Sequence, residues 1–179
     1  MSSSSSTSIA SALALLALAA APPVARAQGS TRAEMEAAAA NVRAAAQEAD
    51  TIDEAAAFME SYAADLRAGN RAAIADRYDR SGAWRQGNGD NVLEPWDRIR
   101  DIYAGARWER PASFEWRDLH YEPAGPDAVV VAGAFLWGRA EGQPPYLFSY
   151  TALLVHRDGR LRIRLEHESM RPVLAEPAH

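Results

Sequence analysis

The sequence predicts a single α+β domain, and three observations carry that reading. Apolar residues recur at helical spacing from Thr51 to Tyr103. From Ser113 onward the period drops to two. Asp158-Gly159 stands between two alternating runs, the strongest short-range signal of a β-hairpin. Helices first and strands after is the order of an α+β fold.

The elements follow in chain order. Gln28 to Asp50 is rich in alanine, with Met35 and Val42 as a thin apolar face, and reads as a spacer or a loosely packed helix. Thr51-Ile52-Asp53-Glu54 fits a capping box that opens the domain's first helix. Ile52, Ala55, Phe58, Met59, Tyr62 and Leu66 form its apolar face, and Gly69 ends it. Asn70 is expected to cap a second helix carrying Ile74 and Tyr78. Ser81 to Gln86 reads as a short strand around Trp84, followed by a loop over Gln86-Gly87-Asn88-Gly89-Asp90. Glu94-Pro95 opens a third helix with Trp96, Ile99 and Tyr103 on one face. Four strands are expected over 113–122, 128–139, 146–157 and 160–170. Residues 171–179 are left as a C-terminal tail.

A two-residue turn at Asp158-Gly159 sets a register for the last hairpin. Arg157 faces Arg160, His156 faces Leu161 and Leu154 faces Ile163; carried on, Ala152 faces Leu165, Tyr150 faces His167 and Phe148 faces Ser169. These residues share one face, mostly apolar and expected to cover the helices. The face turns polar at Tyr150, His167 and Ser169. The same alternation sends Glu166 and Glu168 to the outer face, with Arg162, Arg164, Leu147, Leu153 and Val155.

Composition narrows the function. The chain has 179 residues, 48% hydrophobic and 24% charged, the balance of a globular protein. It has no cysteine, which excludes disulfides, a thiol nucleophile and thiolate metal sites. All 19 basic residues are arginine, so lysine Schiff-base chemistry is excluded as well. The net charge of −5 argues against a nucleic-acid partner, because phosphate neutralisation needs a basic surface. Ile9 to Ala21 is an apolar run followed by Ala25-Arg26-Ala27, the pattern of a secretory leader cleaved after Ala27. Its n-region carries no Lys or Arg. The expectation is an exported protein, periplasmic or secreted, with no stable membrane insertion after cleavage.

Three stretches carry a family resemblance. They are Ser61-Tyr62-Ala63-Ala64-Asp65-Leu66-Arg67-Ala68-Gly69-Asn70, Asp127-Ala128-Val129-Val130-Val131-Ala132-Gly133, and the ending from Arg160 to Ser169. In their order and spacing they resemble the SnoaL-like, ketosteroid-isomerase-like branch of the nuclear transport factor 2-like (NTF2-like) superfamily, over about Thr51 to Met170. The resemblance implies a cone: three helices packed on a curved antiparallel sheet that encloses a mostly apolar pocket. No cofactor is expected, and no metal, since no carboxylate shares the face beside His167 and no second His sits at ligand spacing. The resemblance matches Tyr62 to the steroid isomerases' oxyanion donor. Their general-base position falls on Gln86 and their second acid near Thr151 or Ala152, neither acidic, so that mechanism is not expected here. Fold alone does not settle function in this superfamily.

The expected pocket is lined by Phe58, Trp84, Trp96, Tyr103, Phe114, Trp116, Phe135, Trp137 and Phe148, with Ser169 at its polar end. His167, Tyr62 and Tyr150 are the candidate catalytic groups: the imidazole to move a proton, the hydroxyls to donate to developing negative charge. Three function classes stay open. One is capture of a small apolar molecule, and another is acid–base catalysis on an apolar carbonyl or polyketide-like substrate. The third is assembly, for instance a homodimer, through the outer sheet face.

Overall fold

A computed structural model describes residues 24–87 and 89–171, with side chains from 31 to 170. Most of the expected leader and residues 172–179 of the expected tail lie outside the described residues. The order is α1 (Val24–Ala68), α2 (Arg71–Asp76), β1 (Ala83–Gly87), β2 (Asp90–Glu94), α3 (Trp96–Ala104), β3 (Phe114–Pro123), β4 (Ala128–Trp137), β5 (Tyr146–Arg157) and β6 (Arg160–Arg171). Two compact units divide after Ala40. The part of the first unit with described side chains, residues 31–40, is helical and exposed throughout. No helix among the described residues is long and apolar enough to cross a membrane.

In the second unit the helices cover one face of a six-stranded curved sheet. Ala55, Met59, Tyr62, Ala63 and Leu66 of α1, Ile74 of α2 and Ile99 and Tyr103 of α3 are buried with Val129, Val131, Phe135, Leu154 and Ile163 of the sheet. The α+β expectation holds. The helix starts differ. The α-helix runs unbroken through Thr51, whose hydroxyl donates to the Gln47 carbonyl at 2.7 Å instead of capping a new helix. Alanine propensity upstream outweighs the capping sequence. Asn70 stands before α2 but makes no side-chain cap; its amide donates to Asp65 at 3.1 Å.

The strand order is β2-β1-β6-β5-β4-β3. The expected all-antiparallel sheet is therefore corrected: β1 runs parallel to β6, pairing Arg85 with Glu166 and Gly87 with Glu168. A backbone link prepares it, since Asp79 N–H donates to Ile163 and Ile163 N–H to Arg77. The short strand β2, lying between the expected loop and the third helix and not anticipated from the sequence, pairs antiparallel with β1.

The last hairpin begins as expected, with Arg157 opposite Arg160 and Leu154 opposite Ile163. It then slips by one residue. Leu153 pairs with Leu165, so Arg164 is an extra residue in β6. Arg164 turns to the Gly82 carbonyl and to Ser81 Oγ at 3.3 Å. Because side chains alternate, one extra residue exchanges the faces of everything beyond it. Tyr150 now pairs with Glu168 and Ala152 with Glu166, while His167 pairs with Thr151 and Ser169 with Ser149. The expected Tyr150–His167 pair does not form. His167 and Ser169 lie on the outer face, and Glu166 is buried on the inner one.

A second irregularity bends the other side of the sheet. β3 carries an extra residue between Arg117 and His120, with Asp118 at φ 49°. Gly133 of β4 lies against this bulge; a Cβ there would sit 2.8 Å from the Asp118 carbonyl and 2.9 Å from that of Arg117. Both neighbours are backbone and cannot rotate away. Gly133→Ala is expected to destabilise the fold by about 1–3 kcal/mol, the usual cost of overpacking. A denaturant midpoint unchanged from wild type would contradict this account of the bend.

Candidate functional site

Between the helices and the inner sheet face lies a cavity of about 330 Å³. Its walls are mainly aromatic. Phe114, Phe135 and Phe148 stack in sequence, with ring centroids 5.2 and 4.7 Å apart. Trp116 meets Phe114 and Phe135 edge-on and donates its Nε1–H to the Met59 carbonyl at 2.9 Å, which fixes the indole. Tyr62, Tyr103, Trp108 and Trp137 complete much of the wall.

The polar end is made by Arg85 and Glu168, which line both this cavity and an adjoining one of about 230 Å³ under β1 and β2. The second cavity also reaches Asp90, Glu94 and Glu166. Gly87 allows this closeness, because a Cβ there would lie 2.4 Å from the Glu168 carbonyl. Arg85 takes part in none of the ion pairs among the described residues, and its Nε is buried with no hydrogen-bond partner.

Behind the cavity runs a chain of hydroxyls. Tyr78 donates to the Glu166 carboxylate, at 2.8 Å from Oε1 and 3.0 Å from Oε2. Tyr103 lies 2.8 Å and Tyr62 3.3 Å from the Tyr78 hydroxyl. With the single Tyr78 proton committed to Glu166, Tyr62 and Tyr103 act as donors to its oxygen. Tyr150 also donates to Glu166, at 3.5 Å.

Burial dominates the electrostatics. It pushes the Glu166 carboxyl up, against the opposing pull of Arg85 and the tyrosine hydroxyls. It pushes Glu168 up to about 8, reinforced by Glu166 and opposed by Arg85. Burial, with the Glu166 charge second, raises Tyr62, Tyr78, Tyr103 and Tyr150, so all four stay neutral hydroxyls. Burial works against the Arg85 charge, but Tyr78, Tyr103 and the two glutamates outweigh it and the net shift is upward. The result is a guanidinium beside two carboxyl groups biased toward protonation, inside an apolar enclosure. Strongly shifted acids in a cleft are a recognised mark of a functional site.

The residues singled out in sequence divide into two groups. Tyr62, Tyr103, Phe114, Trp116, Phe135, Trp137 and Phe148 line the cavity, and Tyr150 lies behind it on Glu166. Five others do not. His167 and Ser169 are carried to the outer face by the extra residue in β6. Trp84, paired with Leu165 on that face, is 37% exposed. Trp96 donates to the Ala75 carbonyl under the Arg80 guanidinium. Phe58 lines a separate groove with Ser61 and Arg77, whose arginines are paired to Asp65 and Asp76. Glu166, Glu168, Arg85 and Tyr78 were missed as site residues. Among the described residues no cluster of three or more His, Asp or Glu groups could hold a metal ion.

No protein-family model and no curated protein matches the chain. Solved structures do. An NTF-2 like protein of unknown function from Shewanella oneidensis is 18% identical, with a TM-score of 0.57 over 66% of this chain and 98% of that one. A candidate scytalone dehydratase from Novosphingobium aromaticivorans is 11% identical, with a TM-score of 0.57 over 70% and 87%. A type 2 hexachlorocyclohexane dehydrochlorinase is 15% identical, with a TM-score of 0.55 over 70% and 88%. The chain has the NTF2-like, cystatin-like fold.

The shifted acids set the pH response. Glu168 holds its proton to about pH 8 when folded, against an ordinary value of 4.5. Between those values the native state binds more protons than the unfolded one, so stability falls as pH rises. The melting temperature is expected to drop from pH 5 to pH 8, and Glu168→Gln to make that slope shallower. A slope unaltered by Glu168→Gln would refute the assignment.

Proposed function

We propose that this NTF2-like domain is an acid–base enzyme that moves a proton on a small, largely apolar ring compound bearing an oxygen function. The observation that carries this reading is Glu168, a shifted carboxyl group opening into an aromatic cavity beside Arg85. An acid with a pKa near the working pH serves best in proton transfer, since both forms are accessible. At neutral pH Glu168 holds its proton and can donate it to a substrate oxygen. Its ionised fraction can take a proton from a neighbouring carbon. Arg85 supplies fixed positive charge for the oxygen that becomes negative, while the hydroxyls of Tyr62 and Tyr103, committed to Tyr78, hold the tyrosine chain behind it. The aromatic walls bind the ring and exclude water.

Neighbours named as a dehydratase and a dehydrochlorinase support the reading at the level of reaction class, because each elimination removes a proton from carbon. In the same reading the Met1 to Ala27 leader exports the domain, and its ligand is met outside the cytoplasm. Capture without turnover uses the same cavity and differs only in leaving Glu168 idle.

The test is proton exchange at carbon. The full chain is incubated with 2-tetralone in D₂O, and loss of the α-proton signals is followed by NMR. Exchange above the buffer rate is expected, with Glu168→Gln slower by about 10²–10⁴-fold, the usual contribution of a general acid–base group. No exchange above buffer, or exchange untouched by Glu168→Gln, would overturn the enzyme reading in favour of capture.

A further inference from the structure

Among the described residues, Nε of Arg85 is a buried donor at this site for which the fold supplies no hydrogen-bond partner. Buried donors are normally satisfied, and leaving one unmade is costly. Nε of Arg85 is buried and unpartnered, although Glu166 is its register neighbour across β1 and β6 and Glu168 lines the same cavities. An arginine placed for structure alone would close on one of those carboxylates, as Arg77 closes on Asp65 in the groove nearby. Here it stands at the junction of an aromatic cavity and a polar one, open to both.

We infer that Arg85 is a specificity residue for an aryl carboxylate: the ring occupies the aromatic cavity and the carboxylate engages the guanidinium, with Glu168 beside it. The planar fork of arginine presents paired N–H donors that match the two oxygens of a carboxylate. The stacked Phe114, Phe135 and Phe148 give the ring its apolar wall, with Trp116 set edge-on against Phe114 and Phe135. Burial raises Glu168 to about 8, so at pH 6.5 it holds its proton and does not cancel the arginine's charge. A protonated Glu168 adds a hydrogen-bond donor to the anion. The inference rests on the cavity being the ligand site, as in the proposed function, and adds the class of ligand.

Calorimetric titration of the full chain with 1-naphthoate and with 1-naphthamide at pH 6.5 tests it without requiring turnover. The two probes share ring and size and differ in charge. Wild type is expected to bind 1-naphthoate at least tenfold more tightly. Arg85→Met, with melting followed to confirm folding, is expected to bind both equally; Arg85→Lys is expected to retain part of the preference. Equal binding of the two probes by wild type overturns the inference and leaves the cavity as a ligand site. So does a preference that survives in folded Arg85→Met. Binding of neither probe overturns the inference, while the exchange experiment with 2-tetralone reports separately on the acid–base reading.

Discussion

One extra residue in one strand decides the chemistry of this cavity. Without Arg164 as an insertion in β6, strict alternation would put His167 and Ser169 inside and Glu166 and Glu168 outside. With it, two carboxyl groups enter an enclosure of rings and hydroxyls. The tyrosine chain, the raised acids and the unpaired guanidinium all follow from that exchange of faces. The bulge is held from both sides. Arg164 is tied to Gly82 and Ser81 ahead of β1, and β1 itself runs parallel to β6 just beyond the irregularity.

The parallel pairing has its own consequence. It brings Arg85 next to Glu166 across the inner face and turns Trp84 and Gln86 outward beside Leu165 and His167. A half-buried cation is thereby brought to the inner face beside two acids, Glu166 buried and Glu168 half-buried. Buried charge is costly, and the fold meets that cost in two ways. Tyr78 and Tyr150 donate hydrogen bonds to Glu166, and Glu168 keeps its proton. Arg85 is left incompletely satisfied. A site that keeps one buried donor free beside two acids raised by burial is organised around a ligand more readily than around stability.

Much of the fold was legible because it is local. Helical spacing found α2 and α3, period two found β3 to β6, and Asp158-Gly159 fixed the hairpin turn. The aromatic wall was legible too, since inward alternation on β3, β4 and β5 is regular near Phe114, Phe135 and Phe148. The acid pair was not. Arg162, Arg164, Glu166 and Glu168 alternate with Leu161, Ile163, Leu165 and His167 as a perfect two-residue period, and an insertion inside such a run leaves no trace in composition. Arg85 was missed because its role depends on a parallel contact with a strand some 80 residues away. One signal was available: a buried tyrosine such as Tyr78 needs a partner for its hydroxyl, and an unpaired glutamate on a neighbouring strand supplies one.

The claim that the extra residue turns Glu166 inward and His167 outward is tested most directly by proton–proton contacts in solution. Nuclear Overhauser measurements on the full chain are predicted to connect the Glu166 side chain with the rings of Tyr78 and Tyr150, and to show none between the His167 ring and Tyr150. A His167–Tyr150 contact with Glu166 free of both tyrosines would restore the unbroken register and remove the acid pair from the cavity.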